Sequence, residues 1–283
     1  MIKKFFKKLK YTPHEIGDAI IIDLINIYEY FLFLYKKVTG NYNFLKRNEF
    51  LKDIHKDKRI FLLGNSPKLN EYDLKKLQNE IVIMVNRSFT HKDYHVIKPK
   101  YHIFVDPKLG NGIWPIEYLD KILEKNPDVT LLLNSNWFNL KKFKYYRNKK
   151  NVFWIKNGSL SLFFNNFNND LSTHFNSSGG VIGIALSSAI FFGSKNIYFL
   201  GVELNGVINL LANNDSHFAG KDPDYKDYTS FEWARALNSN SRGIRKMTRF
   251  AELCLKNNIS LKNLTQSGLL DFIPKDDFNN LFE

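Results

Sequence analysis

Between Lys58 and Leu264 the chain is punctuated by short apolar runs, most of them closed by a polar residue or a glycine. Arg59-Ile-Phe-Leu-Leu63 stops at Gly64, Ile81-Val-Ile-Met-Val85 at Asn86 and Tyr101-His-Ile-Phe-Val105 at Asp106. Val129-Thr-Leu-Leu-Leu133 stops at Asn134 and Asn196-Ile-Tyr-Phe-Leu200 at Gly201, with weaker runs at 152–155 and 260–264. Runs of this length that lack polar alternation read as strands buried on both faces. Helical patterns lie between or after them: a short one at 73–79, one rich in small residues at 180–192, and a long one at 230–257 with a break expected near Gly243. Strands alternating with helices predict an α/β domain with a mostly parallel sheet. Two stretches fall outside the pattern. Residues 157–178, crowded with Asn, Ser and Phe, read as a mobile loop over a site, and 205–229 as a second long polar loop; long loops in compact domains are often functional.

The first 50 residues follow a different rule and are read as a basic amphipathic helical segment, with 51–283 as the main domain. Within 18–36, at about 100° per residue, Asp18, Asp23, Asn26, Glu29 and Tyr30 fall on one side, with Ile22 and Phe33 intruding there. The remaining Ile, Leu and Phe residues form a wide apolar face. The acidic residues argue against a spanning helix. Two readings stand level: a helix lying in a membrane interface, or one packed on the domain or on a sister subunit. Lys3, Lys4, Lys7, Lys8 and Lys10 would meet anionic headgroups at about 1 kcal/mol each.

Composition narrows the classes. With 283 residues and a 44% hydrophobic fraction the chain can bury a sizeable core and is not of disordered composition. One cysteine, Cys254, excludes an intramolecular disulfide. No cleavage-site pattern follows an apolar stretch at the start, so no secretory signal is read. A net charge of +13 suits anionic partners: nucleic acid, anionic lipid or a phosphorylated substrate. With no zinc-finger spacing and no RNP-like string, nucleic acid is not expected.

Candidate chemistry sits where the runs end, because ligands of open parallel sheets bind beyond the carboxyl ends of the strands. Gly64-Asn65-Ser66-Pro67 leaves room for close backbone approach before a helix start that offers free N–H groups. Ser177-Ser178-Gly179-Gly180 opens a helix, as an ordinary cap or as a phosphate or carboxylate site. His217, in Asn214-Asp215-Ser216-His217, has an imidazole suited to accept a hydroxyl proton near neutral pH. Asp222-Pro223-Asp224 formally matches a metal-holding carboxylate pair but lies in a loop and reads as solvated, so no metal ligand and no cofactor are assigned.

Together IFLLGNSPKLNEYDLKKL…IVIMVNRSF, SSGGVIGIALSSAIFFGSKNIYFLGVEL, NNDSHF and NLTQSGLLDFIP resemble family 42 glycosyltransferases, the bacterial sialyltransferases, over about residues 57–275. They also resemble the related flagellin-modifying nonulosonate transferases, to which Val105-Asp106-Pro107 is similar. The resemblance implies a GT-A-like fold with a Rossmann-type sheet and inverting transfer of a nonulosonic sugar from a CMP-activated donor to a surface glycan or glycolipid. His217 would be the general base. Gly64, Asn65, Ser66, Asn86, Asp106, Ser177, Ser178 and Gly179 would hold the donor. It further implies work at the cytoplasmic face of a bacterial inner membrane, and is compatible with a homo-oligomer. An arginine that the family carries before Thr-Ser-Gly is replaced here by His174-Phe175-Asn176, and a leaving-group tyrosine by Asn205. Lys221, Tyr225, Tyr228 and His174 are the substitutes considered for the phosphate. Two alternatives remain: a metal-dependent UDP- or GDP-sugar transferase, and a non-catalytic module binding nucleic acid or glycan.

Overall fold

The computed structural model of the chain describes residues 12–161, 168–220 and 228–283. The strands are β1 (Arg59–Leu63), β2 (Ile81–Val85), β3 (Tyr101–Phe104), β4 (Thr130–Asn134), β5 (Val152–Ser159), β6 (His174–Ser177), β7 (Asn196–Leu200) and β8 (Ser260–Asn263), all but β6 formed by the apolar runs. The helices are α1 (Pro13–Val38), α2 (Tyr94–Ile97), α3 (Pro107–Gly110), α4 (Glu117–Lys125), α5 (Gly180–Phe191), α6 (Gly206–Leu211) and α7 (Ser230–Lys256). All eight strands form one sheet in the order β6-β5-β4-β3-β2-β1-β7-β8. Every pairing in it is parallel.

Side chains alternate between two cores. Ile60 and Leu62 of β1 join Ala185 and Ala189 of α5 and Phe250 of α7 on one face. Phe61 and Leu63 join Leu69, Leu77 and Tyr94 on the other. Burial on both sides is why the strands read as continuous apolar runs. From β1 the chain lays strands outward to β6, returns through α5, and adds β7 and β8 on the far side of β1. The neighbours β1 and β7 are therefore the point where strand order reverses, the place where such sheets open a crevice.

Three features depart from the sequence reading. Residues 157–178 are not all loop: β5 runs on to Ser159 and pairs, Lys156 with His174 through Ser159 with Ser177, with the added strand β6. A one-and-a-half-turn helix, α6, interrupts the polar stretch 205–229. The last long helix is unbroken through Gly243. A Thr229–Glu232 capping box starts it, and Met247, Phe250, Leu253 and Cys254 anchor its second half in the core. Packing there outweighs the cost of about 1 kcal/mol that an interior glycine carries. Burial also pushes the Cys254 thiol up to about 12, as expected of an inert packed sulfur.

Helix α1 opens with a Thr12–Glu15 capping box and Pro13 in its first turn. It docks on the domain with its polar side. Asn26 brackets Ser159, donating to its carbonyl at 2.8 Å and accepting from its N–H at 3.1 Å. Glu29 pairs with Lys156 at 2.8 Å, Asp23 accepts from the Ser161 hydroxyl, and Glu15 pairs with Arg245. Phe33, one of the two apolar intruders on that side, is buried at the same interface, against Tyr42 and His174. Among the described residues no helix is long and apolar enough to cross a membrane.

The segment expected to end at residue 50 is continuous with the domain core, since Leu45 and Asn48 are fully buried. The Asn48 amide donates to the Trp154 carbonyl at 2.7 Å and to the Leu171 carbonyl at 2.6 Å, tying β5 to the approach to β6. Asn48→Ala strands both carbonyls and should cost about 3 kcal/mol. Urea unfolding measures it, and a loss below about 1 kcal/mol would show that the clamp is dispensable.

Candidate active site at the strand ends

Beyond the carboxyl ends of the strands lies a cavity of about 1100 Å³. Its walls include Ile25 and Asn26 of α1, Ser159 at the end of β5, Ser178 to Ile182 at the start of α5, Leu204 after β7, Val207 of α6, and one face of α7 bearing Glu232, Arg235, Arg242 and Lys246. Leu204 sits at φ 56°, a strained backbone for a branched side chain, and such outliers gather at binding sites.

The wall contributed by α5 has the features that suit an anion. Gly179 and Gly180 have φ of 88° and 63°, and a side chain at either would meet nothing within 4 Å. Among the described residues no side chain caps this 12-residue helix, so its first N–H groups are open to another partner. The helix dipole adds partial positive charge at that end. Across the cavity Lys246, 9% exposed, donates to the Ser159 hydroxyl. Burial, reinforced by neighbouring Arg242, pushes its ammonium down to about 8. Two arginines and a lysine facing unblocked amides fit phosphate or carboxylate oxygens.

The ends of β1 and β7 form a separate polar junction, joined to the cavity through Leu204. The Ser66 and Ser267 hydroxyls both donate to the buried Glu203 carboxylate, and the Thr265 hydroxyl accepts from Gly201 N–H at 2.8 Å. The loop after α6 is pinned here: Phe218 N–H donates to the Asn65 carbonyl at 2.8 Å and its ring meets His91 at 4.9 Å. His217 and Gly220 close a tight bridge in the same loop, which brings His217 beside the end of β1. At this junction Asn65 Oδ1 and Ser216 Oγ are buried with no hydrogen-bond partner among the described residues. A buried polar atom left so costs about 1–3 kcal/mol unless a ligand or water meets it.

The candidate residues therefore divide. Ser178 and Gly179 line the cavity, and Ser177 is buried just behind them, its hydroxyl 3.4 Å from the Gly158 carbonyl. Asn65 stands at the β1 end with its free amide oxygen, and His217 next to it; neither lines the cavity itself. Gly64, Ser66, Asn86 and Asp106 are held by the fold. A side chain at Gly64 would lie 2.2 Å from the Gly201 carbonyl oxygen, so its close approach is to β7. Ser66 caps the following turn and is tied to Glu203. Asn86, at φ 45°, accepts from Val105 N–H, while its carbonyl accepts from His102, whose buried imidazole is pushed down to about 4. Asp106 caps α3.

Of the phosphate candidates, Tyr228 lines the cavity, while Lys221 and Tyr225 fall outside the described residues, as do Asp222 and Asp224. His174 does not line the cavity: it is buried on β6 against Tyr30 and Phe33 of α1, and burial with Lys156 nearby pushes it down to about 4. Among the described residues the cations that line the cavity are Arg235, Arg242 and Lys246, which sequence reasoning passed over. Their i, i+7, i+11 spacing puts them on one face of a helix, and that stripe was the available signal.

The fold and the site together define an all-parallel α/β protein whose strand-end cavity is lined by glycines, two arginines and a lysine. A family model described as MptE-like, 6-hydroxymethylpterin diphosphokinase MptE-like, matches residues 36–207, and the chain belongs to that family. Among solved structures, the sialyltransferase CstII from Campylobacter jejuni, in complex with the substrate analogue cytidine-5'-monophosphate, is similar at 18% identity and a TM-score of 0.45. That match covers 78% of this chain and 85% of that one. No curated protein matches the chain.

Lys246 gives this site a pH signature. Its ammonium is charged below about pH 8 and neutral above, so affinity for an anion should fall as pH rises from 7 to 9. Calorimetric titration with pyrophosphate should show a loss of about threefold or more across that range, and Lys246→Met should flatten it. An unchanged slope in Lys246→Met would remove Lys246 from the anion site.

Proposed function

We propose that the chain is a transferase whose donor is a nonulosonic sugar activated by CMP and whose acceptor is a hydroxyl of a surface glycan or glycolipid. The observation that carries this reading is the pairing of two neighbouring features. One is the basic cavity at Gly179 and Gly180, suited to the donor's phosphate and carboxylate. The other is the loop that holds His217 and two unpartnered buried oxygens at the end of β1. The order and spacing of the motifs that resemble the sialyltransferases support it further.

In the proposed step the acceptor oxygen forms a bond to the donor's anomeric carbon while the bond from that carbon to the phosphate oxygen breaks. CMP leaves with the electron pair, His217 takes the hydroxyl proton, and the configuration inverts. Arg235, Arg242, Lys246 and the α5 N–H groups stabilise the negative charge that collects on the departing phosphate.

The family's own description favours a second reading, in which a diphosphoryl group passes from a nucleoside triphosphate to a hydroxymethyl substituent of a pterin. The same cavity would then hold phosphates of a different donor. Mass spectrometry of two reactions separates them, one with CMP-activated nonulosonic sugars and a glycan acceptor, the other with ATP, Mg²⁺ and 6-hydroxymethylpterin. Acceptor-dependent release of CMP is expected, with His217→Ala lowering kcat about 10²–10⁴-fold and leaving CMP affinity unchanged. Formation of a pterin diphosphate, with no CMP released, would replace this reading by the second.

A further inference from the structure

Helix α1 is mounted inside out. Its polar side, Glu15, Asp23, Asn26 and Glu29, is spent on the domain, as are the buried Ala19 and Phe33. Its apolar side faces solvent. Ile21, Leu24, Ile27, Tyr28, Phe31 and Tyr35 are each 52–67% exposed. A soluble amphipathic helix does the opposite, burying its apolar stripe. The arrangement is specific, because each acidic side chain of the stretch 19–35 is matched to a partner on the body: Asp23 to Ser161, Glu29 to Lys156. What remains outward along those residues carries no charge, over nearly five helical turns.

We infer that this face docks the protein onto an anionic lipid bilayer, with α1 lying in the interface. Charge complementarity selects that occupant. Five lysines fall within the first ten residues and Lys36 and Lys37 close the helix, so along the sequence the stretch that bears the uncharged face is flanked by cations on both sides. Anionic headgroups satisfy both parts at once, apolar burial between and attraction at the ends. A second copy of the chain would bring two faces together within molecules of net charge +13 each and press like charges against like.

The docking has a consequence for the site. Ile25 and Asn26 of the same helix form a wall of the strand-end cavity, and Ile25 is itself 54% exposed at its lip. A bilayer beneath α1 lies against the rim of the cavity, where a lipid-linked acceptor would enter. The docking rests on the helix alone and holds whichever donor the cavity takes.

The test is co-sedimentation of the full chain with vesicles of phosphatidylcholine, with and without phosphatidylglycerol, alongside the combined variant Leu24→Gln, Ile27→Gln and Phe31→Gln. The wild type should pellet with the anionic vesicles, less with neutral ones and less at high salt. The triple variant should bind about tenfold more weakly or worse. Because the three positions are exposed, its urea midpoint should match the wild type, and sedimentation velocity should give the same mass for both. A wild-type dimer that the variant dissolves, with no vesicle binding, would assign the face to a second copy instead. A monomer that ignores anionic vesicles would also overturn the proposal.

Discussion

Strands β1 and β7 run level from Arg59 beside Asn196 to Leu63 beside Leu200, and then meet with no side chain between them. A methyl group at Gly64 would lie 2.2 Å from the Gly201 carbonyl oxygen, and one at Gly201 would lie inside the Leu69 side chain. This contact fixes where the two halves of the sheet part. Glu203 can reach both Ser66 and Ser267 only because the strands end together, and the His217 loop can rest on the Asn65 carbonyl for the same reason. The site thus depends on a backbone approach that glycine alone permits at both positions.

The cavity is completed by elements with little core of their own to contribute. Helix α7 is anchored by its second half, which leaves its first half to present Arg235 and Arg242 to solvent and to the cavity. Helix α1 is held by ion pairs and hydrogen bonds to Ser159, Ser161, Lys156 and Arg245. Ser159 joins the two systems, since it is bracketed by Asn26 and also accepts from Lys246. The wall nearest the proposed membrane surface and the wall that binds anions therefore share one residue at the end of β5.

Most of the sheet was legible because strands buried on both faces cannot hide their composition: five of them read as apolar runs, and β5 and β8 as weaker ones. Strand β6 was hidden. His174, Asn176 and Ser177 are polar, and they are tolerated because α1 and α5 cover them and β5 supplies the backbone pairing. The helical wheel of α1 showed two faces but not which one would be buried. The intrusion of Phe33 on the polar side was the clue, since it is the ring that packs on the domain. At the site, polar residues after strands pointed to the right edge of the sheet. They did not separate those that serve the fold, such as Asn86 and Asp106, from Asn65, whose amide oxygen is left free. The basic stripe on α7 lies far from any strand end in sequence, and only the return of that helix over the sheet brings it to the cavity.

The central claim is that the phosphate of an activated donor sits on the N–H groups of Gly179 and Gly180, facing Lys246 and Arg242. A crystal structure of the chain with CMP bound tests it most directly. The phosphate should be found within hydrogen-bond distance of those amides, with Lys246 turned toward it and the cytidine directed to the β1 end near Asn65. A nucleotide seated on β2 and β3, with its phosphate away from α5 and the glycine amides still unpartnered, would contradict the claim.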